Sequence, residues 1–387
     1  MAINIVALGG SGAGKSLYLA SLYRKLSTSL RIDDQDEERR LNLICSEVLD
    51  IRTGTVNTIG TSDFKKWRFR WQLQGKHSDY FVGSFTYLDY AGGKINSIKK
   101  ASNQEGKTTK EEEKLKREIE KAHIILIFLD GIRIVDMMRR NGEKLPSDSL
   151  QKLVDWQNND IPNILDYIKR TRCPLHIVIT KWDALVSERF DNLGNIISQL
   201  QREINGLESL IDERRKLQSQ PPRWIPISSL GMNIAEPIYE VIVEDNVEKR
   251  NFQTMRLRLR DGNPPTQIEP RYVDVVLSYA MIDTLKEKLK NYQQLNMFSQ
   301  IAVDFVLEVI LEVIFDMIPF KIGKIIQIIW KLIFSPEESN GVDQAPVSRE
   351  NIKSREEALV YIIGEHLRKI QNFEREFNVD GSGQIQN

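Results

Sequence analysis

One octapeptide constrains this chain more than any other feature. Gly9-Gly10-Ser11-Gly12-Ala13-Gly14-Lys15-Ser16 follows directly on the apolar run 3–8 (Ile-Asn-Ile-Val-Ala-Leu). It fits G-x-x-x-x-G-K-[ST], set between a short buried strand and a helix expected from Lys15 to about Leu30. Glycines let the backbone curl so that N–H groups converge on an anion, and the helix behind adds its positive end. In such a loop residues 9–16, with Leu17 behind them, would cradle phosphates. Lys15 would reach the outer two, and the Ser16 hydroxyl would bind Mg²⁺. A glycine turn before a helix is the plainer reading, but the position between strand and helix argues against coincidence.

The pattern beyond the loop repeats strand and helix. Strands are expected at 66–73, 81–88, 123–129, 175–179 and 224–228, and helices at 35–50, 147–170 and 193–217. His123-Ile-Ile-Leu-Ile-Phe-Leu129 is almost wholly apolar, as a strand buried on both faces must be. The alternation implies an α/β fold over residues 1–235, a mostly parallel sheet with helices on both faces. Residues 236–270, with prolines near the end, read as a linker. A smaller α-helical C-terminal domain is expected at 271–377, with helices near 272–294, 297–334 and 354–376. Ser354 and Glu357 have the spacing of a capping box. The last residues, 378–387, read as a disordered tail.

Composition excludes several classes. Basic and acidic residues balance at 54 each, so nothing favours nucleic acid as a partner. Cys45 and Cys173 are too few for a cysteine metal site, and the four histidines form no pair at ligand spacing. The first apolar run ends in glycines rather than a leader cleavage site, so a reducing, cytoplasmic setting is expected.

Three further motifs stand at strand ends. Asp89-Tyr90-Ala91-Gly92 matches D-x-x-G, a weak pattern that Asp191…Gly194 and Asp380…Gly383 also satisfy. Only Asp89 follows a strand between the first motif and the next one. There its carboxylate can hold Mg²⁺ through water, and the Gly92 N–H can sense a terminal phosphate. Thr180-Lys181-Trp182-Asp183 follows the strand 175–179 and has the chemistry of a guanine reader. One carboxylate accepts both N1–H and the 2-amino group; adenine offers neither, a difference worth a factor on the order of 10⁴. Lys181 would lay its stem along the base. An ordinary loop with an N-capping Asp183 is the alternative. Ser228-Ser229-Leu230, after the last strand, would turn N–H groups to the guanine carbonyl.

With these motifs in this order the chain resembles the translation-factor and Ras-like class of GTPases over about residues 1–235. Within that class it is similar to divergent bacterial GTPases of conflict and signalling systems. That narrower likeness rests on residues 11–23, on Trp224-Ile-Pro-Ile-Ser-Ser-Leu-Gly231 and on 264–277. The resemblance implies GTP or GDP with Mg²⁺ as ligands, and Lys15, Thr61 and Gly92 as the residues nearest the chemistry. It implies Ser16, Thr61 and Asp89 as the metal set, and a slow GTPase acting as a molecular switch. Thr53, Thr55 and Thr58 compete with Thr61 for the phosphate-sensing role; Thr61 lies closest to the next strand, as in the family. The chain departs from the family at Gly93, where a water-orienting Gln is common. A module that binds GTP or GDP without hydrolysing it is therefore the rival reading. Arg52, three residues before Thr55, has a spacing suited to a transition-state arginine, although a solvated loop residue is the plainer account.

Residues 297–334 are the second unusual feature. Asp304, Glu308, Glu312 and Asp316 recur every fourth residue among Val, Ile, Leu and Phe, and Lys321, Lys324 and Lys331 follow Pro319. On a helix that spacing drifts by only about 40° per step, so the acids share one face. Four aligned acids argue against a membrane span. A buried hairpin with pairing strips, or an amphipathic surface for a protein partner or the inner face of a membrane, remain as readings. A protein partner would otherwise meet the switch loops.

Overall fold

The computed structural model describes residues 3–50, 52–56, 64–75, 78–90, 95, 109–140, 145–217, 222–244, 247–259, 263, 265–295 and 352–378. Thr58, Thr61, Gly92, Gly93, the segment 297–334 and all of the tail but Asn378 lie outside these residues.

The apolar run 3–8 forms β1 (Ile3–Gly9), and the glycine loop leads into α1 (Lys15–Lys25). α1 stops short of the expected Leu30, because Leu30 opens β2 (Leu30–Ile32) and is wholly buried there. α2 (Gln35–Glu47) buries Leu41 and Ile44, and the Asp34 side chain caps its first N–H groups. Two short strands follow, β3 (Leu49–Asp50) and β4 (Thr55–Val56), then the long pair β5 (Lys65–Gln74) and β6 (Asp79–Asp89). β5 alternates, with Trp67, Phe69, Trp71 and Leu73 inward and charged residues outward. That is the pattern of a strand with one covered face.

Next come α3 (Lys110–Glu120), β7 (Ile124–Leu129), α4 (Gly131–Arg139) and α5 (Ser147–Asp155). All six residues of β7 are buried. The helix expected at 147–170 is interrupted: Trp156–Asp160 wind as a π turn between α5 and α6 (Ile161–Ile168). β8 (Leu175–Ile179), α7 (Trp182–Ser187), α8 (Leu193–Glu203) and α9 (Leu207–Leu217) follow, then β9 (Arg223–Pro226). The expected helix 193–217 is two helices, separated where Gly206 takes φ 80°.

Seven strands form the main sheet in the order β2-β5-β6-β1-β7-β8-β9. From β6 to β9 the strands are parallel; at one edge β5 runs antiparallel to both its neighbours, β6 and β2. The chain is thus mixed α/β with a mostly parallel central sheet. α1 leads from β1 toward the β6 side, while α3, α6 and α9 lead the other way. Right-handed crossovers therefore place them on opposite faces.

The segment expected as a linker holds instead a hairpin of β10 (Ala235–Glu244) and β11 (Val247–Leu257). Its alternating apolar residues are masked in the sequence by charges on both strands. The hairpin continues into a second sheet of order β10-β11-β4-β3. α10 (Val273–Leu295) and α11 (Arg355–Phe377) were expected as part of a separate helical domain. In the described residues they cover the main sheet: Leu277, Met281 and Leu359 face Ile3, Ile5, Trp71 and Phe85. The physical reason is that β1 and β5 present apolar residues that α1 alone does not cover. The Ser354 Oγ accepts the Glu357 N–H at 3.1 Å, as the capping spacing requires. Glu357 in return accepts from Lys353 N–H at 2.7 Å, one residue earlier than in the usual reciprocal cap. No helix among the described residues is long and apolar enough to cross a membrane.

A buried ion pair ties α10 to the sheet. Arg223 Nε donates to Asp283 Oδ2 at 2.6 Å, and a second guanidinium nitrogen donates to Oδ1 at 3.1 Å. The guanidinium also lies 4.3 Å from the centre of the Tyr279 ring, whose hydroxyl donates to Glu374. Asp283→Ala leaves the guanidinium without its main counter-charge in the interior and should cost about 3–5 kcal/mol. Urea unfolding measures this; a loss under about 1 kcal/mol would show that Glu374 or water compensates.

Candidate functional site

The parallel register decides which residues share a level. Ala7 lies beside Asp89, Gly9 beside Phe128, Leu129 beside Ile179, and Ile179 beside Pro226. All four sequence motifs therefore leave the sheet at its carboxyl end, around β1. Crevices of this kind, outside the strand ends where connections diverge to either side, are where open α/β sheets bind ligands.

The glycine loop is shaped as the sequence implied. Gly12 and Gly14 take φ 75° and 80°, in the left-handed region that favours glycine. Ser11 and Gly12 form the exposed tip, and Ala13 is buried. Leu17 packs against the core, so only its backbone can face the crevice. Lys15 is 5% exposed, and its ammonium donates to the carbonyls of Gly9 (2.8 Å) and Gly10 (3.1 Å). Burial lowers its pKa, against the opposing charge of Asp89. A buried ammonium held by carbonyls in a loop rich in N–H donors suits an anion. The Ser16 hydroxyl donates to Asp89 Oδ2 at 2.6 Å, although 73 residues separate them. Asp89 itself is fully buried.

The third motif touches the first. A Cβ built on Gly14 would meet Thr180 at 3.5 Å. Thr180 is fixed in turn, its N–H and hydroxyl both donating to the Leu129 carbonyl at 3.0 and 3.1 Å. Lys181 takes φ 52° at the start of α7, and its ammonium lies 2.8 Å from Asp130 Oδ1. Asp183 is fully enclosed. Its Oδ1 accepts from Ser228 Oγ at 2.7 Å, while Oδ2 is buried with no hydrogen-bond partner among the described residues. Burial pushes the Asp183 carboxyl up to about 6, with the Ser228 hydrogen bond acting the other way.

The fourth motif completes the wall. Ser228 Oγ also accepts from Gly231 N–H at 2.9 Å. The Ser229 carbonyl accepts from Ser21 of α1 at 2.9 Å, and that of Leu230 from Glu269 N–H at 2.7 Å. Ser228 N–H donates to the Arg271 carbonyl. Only the N–H groups of Ser229 and Leu230 are therefore candidates to face a base.

Of the four candidate threonines, Thr53 and Thr55 are drawn aside. Their hydroxyls bond each other at 2.6 Å, and Gly54 between them accepts from Leu257 of β11. Arg52 is exposed in the turn before β4, which agrees with the plainer account of it.

Sequence reasoning missed Asp130. It follows β7 directly, caps α4 through the Ile132 N–H (3.0 Å) and anchors Lys181. The signal was available: an acid at a strand's carboxyl end, followed by a glycine. Gly131 is required because a Cβ there would fall 2.3 Å from the Thr180 carbonyl.

No family model matches the chain, and no curated protein matches it. Among solved structures, the S. cerevisiae Ski7 GTPase-like domain bound to GTP is 17% identical with a TM-score of 0.34, over 60% of this chain and 44% of that one. The same domain bound to GDP and inorganic phosphate gives 17% and 0.33, over 59% and 43%. The chain spans less than half the length of those proteins, and likeness this loose decides nothing about the site.

Ser228 carries two buried hydrogen bonds. Ser228→Ala should lower stability by about 1–3 kcal/mol, since it strips a buried carboxylate and a buried N–H together. Thermal melting checks this; an unchanged melting temperature would mean that water replaces the hydroxyl.

Proposed function

We propose that the chain binds guanine nucleotides at the carboxyl end of the sheet, hydrolyses GTP slowly and acts as a molecular switch. The observation that carries the guanine assignment is Asp183, a buried carboxylate with one oxygen satisfied by Ser228 and the other without a partner among the described residues. A buried acceptor left open is costly. Guanine answers it with two parallel donors, and adenine does not. The triphosphate reading rests on Lys15 and on the N–H groups of residues 9–16. The proposed binding set is Gly9, Gly10, Ser11, Gly12, Ala13, Gly14, Lys15, Ser16, the Leu17 backbone, Asp89, Gly92, Thr180, Lys181, Asp183, Ser228, Ser229 and Leu230.

Ser16 and Asp89 present a hydroxyl and a carboxylate 2.6 Å apart, the hard oxygen donors that Mg²⁺ prefers. They fit the ion, with Thr61 as a proposed third ligand. When bound, Mg²⁺ neutralises phosphate charge. Lys15 would hold the outer phosphates, and the Gly92 N–H would report the terminal one. The segments 53–64 and 92–108 are proposed as the responsive loops, and a protein as the partner that reads them. Residues 1–235 would form the nucleotide-binding unit, and the C-terminal helices and 297–334 would offer a partner or membrane surface in a cytoplasmic protein. Gly93 brings no side chain to orient water, so turnover without a partner should be slow.

Thermal shift tests the phosphate site. GTP with Mg²⁺ should raise the melting temperature by linkage, stabilising the fold by about 2.7 kcal/mol at a hundredfold excess over Kd. Lys15→Ala should lose this rise while folding normally. A Lys15→Ala protein that shifts fully would remove Lys15 from the site.

The base reader predicts a pH dependence. Asp183 accepts two donors only when ionised, and its carboxyl titrates at about 6. Protonation below that value should weaken GTP binding as pH falls from 7 to 5, with proton release on binding in that range. Asp183→Asn should abolish the dependence and shift preference toward xanthosine nucleotides. Wild-type protein that holds ATP as tightly as GTP in a calorimeter would refute the guanine assignment.

A further inference from the structure

The π turn Trp156–Asp160 is the least regular helical segment among the described residues, and it lies against the glycine loop. A Cβ built on Gly10 would sit 3.7 Å from Asp160 Oδ2 and 3.9 Å from Trp156 Cδ1. π turns inside helices are uncommon and recur at functional sites, because the extra residue re-aims side chains that a regular helix would carry elsewhere. Here the Ile161 N–H donates to the Trp156 carbonyl, the wide bond that defines the π turn. Trp156 is 4% exposed, and its Nε1, one bond from the atom nearest Gly10, is buried without an acceptor among the described residues. An indole donor left open in the interior is a second mark of a ligand-facing element.

Gly10 is also where Lys15 is anchored. The ammonium lies on the Gly10 carbonyl at 3.1 Å, and the Asp160 carboxylate approaches the same residue on its α-carbon side. Asp160 is half-buried, so water can reach it. A carboxylate beside the lysine-bearing stretch of the loop is out of place for binding a polyanion, because it repels the ligand. It suits instead the acceptance of a proton from water. The position after Gly92 carries no side chain for that task.

We propose that Asp160, positioned by the π turn, is the group that takes the proton from the attacking water during GTP hydrolysis. This rests on the nucleotide reading given above. In the step, the water oxygen forms a bond to the γ-phosphorus. The bond from that phosphorus to the β–γ bridging oxygen breaks, and its electron pair leaves on GDP. The water proton passes to the Asp160 carboxylate and from there to solvent or to the released phosphate. No oxidant or further reactant is needed. Trp156 is the second part of the device, its indole lying beside Gly10 next to the carboxylate's approach.

Single-turnover hydrolysis of GTP and equilibrium binding of GTP, both on the full chain, separate the roles. Asp160→Asn should bind GTP within about threefold of wild type and hydrolyse it at least about 10²-fold more slowly. Asp160→Ala should be equally slow and should recover turnover when formate is added, since formate supplies a carboxylate to the vacated space. A merely structural role would not respond to formate. Asp160→Asn turning over at the wild-type rate overturns the proposal, and so does an Asp160→Ala protein that formate does not rescue. Wild-type protein that binds GTP and never cleaves it also overturns the proposal, while leaving the nucleotide reading intact. Wild-type protein that fails to bind GTP overturns that reading, and this one with it.

Discussion

Gly131, Thr180 and Gly14 meet, and the whole carboxyl end of the sheet depends on how closely they do so. Gly131 has no room for a Cβ against the Thr180 carbonyl, and Gly14 stands within van der Waals reach of the Thr180 side chain. Thr180 is held by two hydrogen bonds to Leu129. This packing fixes the end of the first motif against the start of the third. A side chain larger than hydrogen at 131 would push β7 and β8 apart at their ends.

Several polar groups around that contact are paired across the motifs. Ser16 answers Asp89, Ser228 answers Asp183, and Asp130 answers Lys181. Such pairs are costly to break and therefore hold a geometry. The exceptions carry the functional argument. Asp183 Oδ2 and Trp156 Nε1 are among the buried side-chain atoms without partners in the described residues; the first sits beside Ser228 and the second beside Gly10. Native interiors rarely keep such groups idle.

The second sheet gives the arrangement a consequence beyond the crevice. β10 begins a few residues after Gly231, and β11 is bonded through Leu257 to Gly54. One end of the hairpin thus grows from the wall formed by Ser228–Gly231, and the other is tied to the turn that precedes residues 57–63. A change in either would be felt by the hairpin, which carries exposed Val241 and Val243 at its far end. The Arg223–Asp283 pair at the opposite end of the sheet has no part in this; it locks α10 onto the strands.

Much of the fold was legible because its signals are local. The glycine loop needs left-handed residues at fixed offsets, and Gly12 and Gly14 take them. A parallel interior strand must be apolar on both faces, and residues 124–129 read that way at once. The four motifs could be ordered along the chain because each follows a strand. Legibility failed where the deciding partner is distant in sequence. The hairpin at 235–257 looked like a linker, since its strands are stabilised by each other and by Thr55 rather than by a continuous apolar run. The helices after residue 272 looked like a separate unit, since nothing local says that Leu277 and Leu359 must meet Ile3 and Trp71. The π turn and Asp130 were missed for the same reason. So the chain alone determined which residues carry the backbone conformation and donor chemistry proposed for phosphate and base. Only the tertiary structure decided that they face one crevice, that Asp183 keeps an open oxygen, and that Asp160 lies on the loop. Those depend on strand register and close backbone approach, which are properties of packing rather than of neighbouring residues.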